Sequence, residues 1–477
     1  METRWLARVV GLVIAAASIG GAALLWLTVG ADNPIDVFPP VREAVFLGWD
    51  IFYAQVRPPT RIFWAAIAIA LLAAAAVAVT ERIASRRLRQ STDRRETPLS
   101  PVVQMARTRR YSGPVTVTVL IPAHNEEAIL AETLTALLAQ NRPPERVVVV
   151  ADNCTDATVE IAHEFGIEVY RTRDNKEKKA GALNQVLRHL LPGLDDNDVV
   201  MVMDADTTLD QGFIAAAVER FEADRALMAV GGIFYGEPGY GLLGQFQRNE
   251  YIRYSRTIKR RRGRVFVLTG TSSMFRPAAL EAVAQSRGTV IPGRPGDVYD
   301  TSALTEDNEL TIALKSLGAL MVSPERCTVV TELMPDWRAL WKQRMRWQRG
   351  AVENIGAYGL TPATARYWGQ QVGIGYGTIA LYSFMLMMLL MILAVDTWIW
   401  FPFWLAVGGV FVLERIVTVW RAGWWPRILA ALLFPELIYD MFLSFVFVVG
   451  LGQITLGRRA RWGSVPRAAT VREGADA

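Results

Sequence analysis

Apolar positions along the chain follow two regimes: long unbroken runs near both ends, and short runs punctuated by polar clusters between them. Val9–Val29 holds 21 residues without a charge and Ile62–Val79 another 18. Each falls in the roughly 17–25 residues that a helix needs to cross a bilayer core. Three further stretches, about 372–395, 398–419 (interrupted by Glu414 and Arg415) and 428–451, lie near the C-terminus. The pattern predicts two spans, a globular region from Ser112 to about Ala357, and about three more spans. The first run exceeds the ~7–15 residues of a signal-peptide core and a second run follows it, so a retained span is expected.

Inside the globular region the runs shorten. Val115–Ile121 is a β-branched run that predicts a strand buried on both faces. It ends in Pro122-Ala-His-Asn-Glu-Glu127 and leads into a helical pattern up to Ala139. Arg146–Ala151 reads as a second strand, ending at Asp152-Asn-Cys-Thr-Asp156, with Thr155 expected to cap a helix that runs to Phe165. Ile167–Tyr170 predicts a third strand, Lys178–Leu191 a helix, and Val199–Met203 a fourth strand ending in Asp204-Ala-Asp206. Strands alternating with helices predict a doubly wound parallel sheet. The polar clusters fall where strands end, which is where such sheets bind ligands.

Charge adds an orientation. The chain carries 51 Lys+Arg against 46 Asp+Glu, a formal +5. Nine arginines, from Arg82 to Arg110, crowd the segment after the second run, whereas the loop between the first two runs holds only Arg42, Arg57 and Arg61. The positive-inside bias puts the globular region and the N-terminus on the cytoplasmic side of an integral membrane protein. The net charge then reflects topology; no basic groove interleaved with aromatics is present, and no nucleic-acid partner is expected. The tail Gly457-Arg-Arg-Ala-Arg-Trp462 prefers the same side, which conflicts with an odd number of C-terminal spans. Pro435, Glu436 and Asp440 mark the last stretch as the irregular one. Two cysteines, Cys154 and Cys327, exclude a disulfide framework.

Three acidic positions stand out: Asp152, the Asp204/Asp206 pair, and Asp307 in Leu304-Thr-Glu-Asp-Asn308. Two carboxylates closing a hydrophobic strand suit Mg²⁺ or Mn²⁺ that also holds phosphate oxygens. Asp156, Asp195, Asp196 and Asp198 read as solvated residues or caps. His124, His163 and His189 are too scattered for a zinc site, and no P-loop pattern occurs. Thr269-Gly-Thr-Ser-Ser-Met-Phe-Arg276 is a small-residue segment that lets backbone approach a ligand. Trp337, Leu340, Trp341 and Met345 recur at helical spacing among Lys342, Arg344, Arg346 and Arg349, the pattern of an amphipathic helix at a membrane interface.

Asp152, Asp204-x-Asp206, Thr305-Glu-Asp307 and Gln343-Arg-Met-Arg-Trp347 occur in the order found in processive family 2 glycosyltransferases. Over about Val115–Gly350 the chain resembles these cellulose, chitin, hyaluronan and poly-N-acetylglucosamine synthases. The spacing from the third aspartate to the Gln-x-x-Arg-Trp motif, positions 308–342, also matches. The resemblance implies a GT-A type, Rossmann-like α/β domain with an α-helical region of about five spans. It divides the chain into two N-terminal helices (1–80), a basic linker (81–111), the glycosyltransferase domain (112–335), an interface helix (336–360), C-terminal helices (370–456) and a tail (457–477).

The resemblance also implies roles. Pro122, Asn125, Glu126 and Asp152 would line the nucleoside end of a UDP-sugar site. Lys178 or Lys179 would meet the diphosphate. Asp204 and Asp206 would hold Mg²⁺ or Mn²⁺, Asp204 also facing the donor. Asp307 would be the base of an inverting transfer, and Arg346 would stabilise charge at the diphosphate. Trp347, Gln343 and Thr269, Gly270 and Thr271 would bind the acceptor, a glycan or a lipid-linked sugar, with membrane lipids around the helices. Glu414, Arg415, Glu436 and Asp440, costly in lipid, are candidates to line an export path, or Glu414 and Arg415 pair at the cytoplasmic boundary. Two other readings follow from the same residues: a polyprenyl-phosphate sugar transferase, against which the Gln-x-x-Arg-Trp motif counts, and a transporter with a regulatory nucleotide-sugar domain, which would not need Asp307. The short tail leaves no room for a cyclic-di-GMP-sensing domain after the last span.

Overall fold

The computed structural model describes residues 114–458, apart from 262, 395, 396 and 401, together with 42–46, 49–53 and scattered helical positions between 19 and 79. The chain divides into two compact units, one of residues 1–92 and 382–417 and the other of 93–381 and 418–477. In the first, strands Arg42–Phe46 and Trp49–Tyr53 form an antiparallel hairpin, and Thr397–Trp400 adds to it in parallel.

The second unit opens with β1 (Thr116–Ala123), α1 (Leu130–Leu138), β2 (Arg146–Ala151), α2 (Thr158–Glu164), β3 (Glu168–Arg171), α3 (Lys178–Leu190) and β4 (Asp198–Met203). It continues with β5 (Thr207–Leu209), α4 (Phe213–Ala223), β6 (Leu227–Gly231), β7 (Ile233–Gly236), α5 (Gly241–Arg260), β8 (Ser272–Phe275) and α6 (Pro277–Ser286). Then come α7 (Glu306–Ser316), β9 (Leu320–Val322), β10 (Thr328–Thr331) and α8 (Trp337–Tyr358). Seven strands form one sheet in the order β9-β6-β8-β4-β1-β2-β3, and β5-β10-β7 form a smaller one.

The four expected strands are present, and the period-two alternation explains their burial. Val117, Val119 and Ile121 of β1 pack with Leu130, Leu134 and Leu137 of α1 on one face. Leu120 packs with Leu183 and Leu187 of α3 on the other. Both faces are covered, so β1 and β4 are buried along nearly their whole length. The sheet is mixed, however, and not purely parallel: β8 runs antiparallel to both β4 and β6. A four-residue Ser-Ser-Met-Phe strand carries no sequence signal of its direction. Two smaller expectations also change. Thr155 is not the cap of α2; Asp156 Oδ1 accepts from the Thr158 N–H at 3.1 Å. Asp196 is buried, not solvated.

The apolar stretches differ more. The first two lie outside the described residues except for scattered helical positions. Among the described residues two helices are long and apolar enough to cross a membrane, in place of the five expected: Ala365–Leu390 within α9 (Ala365–Ala394), and α12 (Phe434–Thr455). The stretch 398–419 begins as a strand and continues as α10 (Pro402–Thr418), 17 residues long. The stretch 428–451 is broken at Leu433, whose φ of 57° separates the short α11 (Trp424–Leu432) from α12.

Trp337 and Trp341 of α8 meet Phe442 and Phe445 of α12 edge-on or tilted, with centroids 5.0–5.9 Å apart, and Leu340 is fully buried. Part of the amphipathic stripe therefore packs on protein. Glu436 is buried too, and accepts hydrogen bonds from Asn249 and Arg253 of α5. Its charge is thus paired with Arg253 of the globular region.

Candidate active site

The site is built at the strand ends. Asp152 follows β2 and is buried; its Oδ1 accepts from Thr172 Oγ1 at 2.8 Å, Asn175 Nδ2 at 2.8 Å and Asn153 Nδ2 at 3.1 Å. Asn175 also donates to the Lys178 carbonyl at 2.7 Å, tying this carboxylate to the start of α3. Asn125 Oδ1 accepts from the Thr155 N–H at 2.8 Å, and the Glu126 N–H donates to Thr158 Oγ1 at 2.8 Å. Pro122 lies half-buried at the end of β1. Asn125, Asn153, Asp174 and Lys178 all have φ between 47° and 58°. Asparagine and aspartate tolerate this left-handed region, so among these four only Lys178 has its backbone held under strain.

The second cluster centres on Lys179. Its Nζ lies 2.5 Å from Asp204 Oδ1 and 3.1 Å from Glu306 Oε1. The sequence left Lys178 and Lys179 equivalent; the structure separates them, with Lys179 turned into the carboxylates and Lys178 exposed on the wall of an open cleft of about 570 Å³. Burial alone would lower the Lys179 pKa, but Asp204 and Glu306 raise it above its ordinary value. Glu306, which sequence reasoning passed over, is a member of this cluster. Burial pushes its carboxyl up, yet Lys179 and then Arg346 hold it below the usual range. Its neighbour Asp307 goes the other way: burial, then the Glu306 charge, lift it to about 6.

Asp307 Oδ2 accepts from the Gly270 N–H at 3.1 Å, and Oδ1 from the Asn308 N–H at 2.7 Å. Antiparallel β8 makes the first contact possible. Ser272 pairs with Met203 at the end of β4, so the segment entering β8 comes in beside Asp204, and the Asp204 N–H donates to the Thr271 carbonyl at 3.2 Å. A Cβ at Gly270 would stand 3.3 Å from Lys179 Nζ, 3.5 Å from Asp307 Oδ2 and 3.6 Å from Asp204 Oδ2. Gly270 is thus the floor on which three charged groups converge. Thr269 is buried below it, and its Oγ1 accepts from Thr271 Oγ1 at 3.0 Å.

Asp206 is half-buried; burial, then the Asp204 charge, raise its carboxyl to about 7. Four carboxylates around one ammonium leave a negative excess. Among the described residues no three His, Cys, Asp or Glu side chains are disposed to hold a metal ion. Asp204 and Asp206 are two hard oxygen donors, which a divalent cation would have to supplement with water and phosphate oxygens, and Asp204 Oδ1 is already engaged by Lys179 Nζ at 2.5 Å.

Asp307 is placed by the packing of α7. Asn354 of α8 donates to the Thr305 carbonyl and Oγ1, each at 3.2 Å, and to Asn308 Oδ1 at 3.1 Å. Two residues beyond Asp307, Glu309 accepts from Arg287 at 2.5 and 2.8 Å, and both side chains are buried. On α8, Gln343 is hydrogen-bonded to Arg344, whose guanidinium lies 4.3 Å from the Trp347 ring centroid. Arg346 is half-buried, and its charge acts on both Lys178 and Glu306. The structure thus brings Lys179, Asp204, Glu306, Asp307 and Gly270 together, with Asp152 tied to the start of α3 beside them; Arg344, inside the Gln-x-x-Arg-Trp segment, pairs instead with Glu250 of α5.

The domain is thus a mixed α/β sheet with acidic residues at the strand ends. Residues 118–284 match the model for glycosyl transferase family 2, which makes that stretch a family 2 glycosyltransferase domain. It is 28% identical over 251 residues to poly-beta-1,6-N-acetyl-D-glucosamine synthase of Staphylococcus aureus (strain COL), covering 50% of this chain and 55% of that one. It is 30% identical over 249 residues to the probable glycosyltransferase YdaM of Bacillus subtilis (strain 168), covering 49% and 54%. The chain spans about half the length of the curated relatives it matches. Among solved structures, the mannosyltransferase PcManGT from Pyrobaculum calidifontis in complex with GDP-Man and Mn²⁺ aligns over 82% of this chain and 99% of that one, at 17% identity and a TM-score of 0.46.

Proposed function

We propose that this chain is a membrane-bound inverting glycosyltransferase that moves a sugar from a UDP-sugar to the end of a growing polysaccharide. The observation that carries the reading is Asp307: a carboxylate with a raised pKa, hydrogen-bonded to the Gly270 N–H beside Lys179 and Asp204. A base for one proton transfer needs this placement, and a binding-only domain does not.

In this reading Asp152, Asn125, Glu126 and Pro122 receive the nucleoside, while Lys179 and Arg346 face the diphosphate. Asp204 and Asp206 would hold Mg²⁺ or Mn²⁺, which would neutralise charge on the departing diphosphate. Asp307 takes the proton of the acceptor hydroxyl as that oxygen bonds to the anomeric carbon; the bond from this carbon to the diphosphate oxygen breaks, and UDP leaves with the electron pair. Trp347, Gln343 and the Thr269–Thr271 segment form the acceptor side, because a sugar ring stacks on an indole face. With the catalytic domain cytoplasmic, α9 and α12 anchor it, and the product is exported past the membrane helices.

The test is a donor panel. Purified protein in detergent with Mg²⁺ or Mn²⁺ receives radiolabelled UDP-N-acetylglucosamine, UDP-glucose and other UDP-sugars. Material of high molecular weight from one donor is expected. A lipid-extractable product carrying one sugar would replace this reading with the polyprenyl-phosphate transferase. UDP binding without UDP release would leave the regulatory domain of a transporter.

A further inference from the structure

Behind Trp347 lies a polar network that the transfer itself does not use. Arg344 is buried, and its guanidinium packs on the Trp347 ring at 4.3 Å and near the Tyr251 ring at 5.7 Å. Its Nη2 donates to Glu250 Oε2 at 2.8 Å. The same oxygen accepts from the Tyr439 hydroxyl at 2.6 Å. Glu250 belongs to α5 and Tyr439 to the apolar helix α12, so one carboxylate joins three helices.

The surroundings fix this joint. Tyr439 is buried and stacks on Phe246 of α5, with centroids 5.1 Å apart and planes 14° from parallel. One turn earlier on α12, Glu436 accepts from Asn249 at 2.8 Å and Arg253 at 3.1 Å. The start of α12 is therefore clasped to α5 twice, by side chains one turn apart on each helix. A buried guanidinium costs several kcal/mol unless it is paired, so Arg344 follows wherever Glu250 is held. The indole in turn rests on Arg344.

We propose that Glu250 and Tyr439 are positioning residues for the acceptor: they hold Arg344 against Trp347, so that the seat of α12 on α5 sets the angle of the indole face to which a pyranose ring binds. This inference rests on the transferase reading, in which Trp347 faces the acceptor. It adds that acceptor affinity, and not donor affinity, depends on contacts made by an apolar helix.

The probe is a β-1,6-linked N-acetylglucosamine pentamer, the repeat in the name of the Staphylococcus relative. Its affinity for the full-length protein in detergent with UDP bound is measured calorimetrically, without turnover. Tyr439→Phe keeps the ring and its stacking but removes the hydroxyl; losing one hydrogen bond to a charged group predicts an affinity about tenfold weaker, with UDP affinity unchanged. Glu250→Gln, which removes the charge facing Arg344, is expected to weaken it at least as much. Equal pentamer affinity in wild type and Tyr439→Phe, or a parallel loss of UDP affinity, overturns the proposal. So does a wild-type protein that binds neither the pentamer nor an oligomer of the sugar that the donor panel identifies, since the indole would then not be a sugar platform. UDP release is assayed separately: its absence with every donor sinks the transferase reading while the binding comparison stands.

Discussion

Gly270→Ala separates folding from chemistry at one atom. The glycine's φ lies outside the left-handed region, so alanine fits the backbone without strain, and the loss of a glycine stabilises by about 0.4–1 kcal/mol through the unfolded chain. The added methyl would meet Lys179 Nζ at 3.3 Å, Asp307 Oδ2 at 3.5 Å and Asp204 Oδ2 at 3.6 Å. Two of these are ordinary contacts, and the third is the end of a flexible side chain that has only to yield a few tenths of an ångström. Thermal unfolding should therefore stay within about 3 °C of the wild type, since about 1 kcal/mol moves a domain of this size by roughly 2–4 °C. Catalysis should respond differently. A reacting hydroxyl must approach Asp307 over this floor, and displacement by about 1 Å costs on the order of 100-fold in rate, or about 2.7 kcal/mol. The assay is UDP release at saturating donor, paired with scanning fluorimetry of the same preparation. Activity within twofold of wild type in a folded protein would refute the placement of the acceptor over Gly270.

Other perturbations address other parts of the site. Asp307 must be ionised to act as a base, and its pKa is raised to about 6, so kcat/KM should fall as pH drops through about 6, and Asp307→Asn should abolish transfer while UDP still binds. The stability effect has the opposite sense: the folded state holds this proton well above the ordinary carboxylate range, to about 6, so the contribution of Asp307 to stability declines as pH rises from about 4 to 6, measurable by urea titration at the two ends. Asp152→Ala removes the acceptor of three side-chain hydrogen bonds and should weaken UDP binding at least about tenfold by calorimetry. Arg287→Met leaves Glu309 buried and charged, a cost of about 3–5 kcal/mol; chemical denaturation should show the loss, and adding Glu309→Leu should restore part of it.

The parts of this site that were legible in the sequence are those fixed by local pattern. A β-branched run with polar residues at its end locates a strand and the side of the sheet it serves, so Asp152 and the Asp204/Asp206 pair could be placed before any coordinates. What stayed hidden depended on partners distant in sequence. Lys178 and Lys179 are equivalent until α3 docks, and only then does one Nζ reach Asp204 and Glu306. Glu306 looked like a helix-start carboxylate beside the base; its ion pair with Lys179 spans well over a hundred positions. Arg344 lay inside a recognised motif but between its signature residues. The last apolar stretch was half legible: Pro435, in the first turn of α12, marked it as irregular, but composition did not show that the chain breaks into two helices at Leu433.

The antiparallel strand β8 has a consequence for motion. Its neighbours β4 and β6 lie on both sides in the middle of a seven-stranded sheet, the Gly232 N–H donates to the Ser272 carbonyl at 2.8 Å, and Ser272, Ser273, Met274 and Phe275 are all buried. Catalytic backbone commonly rides on loops that open readily, and amides there exchange with solvent quickly. Here the peptide groups that seat Asp307 and Asp204 join directly to the buried interior of the sheet. Deuterium uptake at 271–275 should be as slow as in β1 and β4, so the reaction centre should wear out only when the whole sheet does, not by fraying ahead of it.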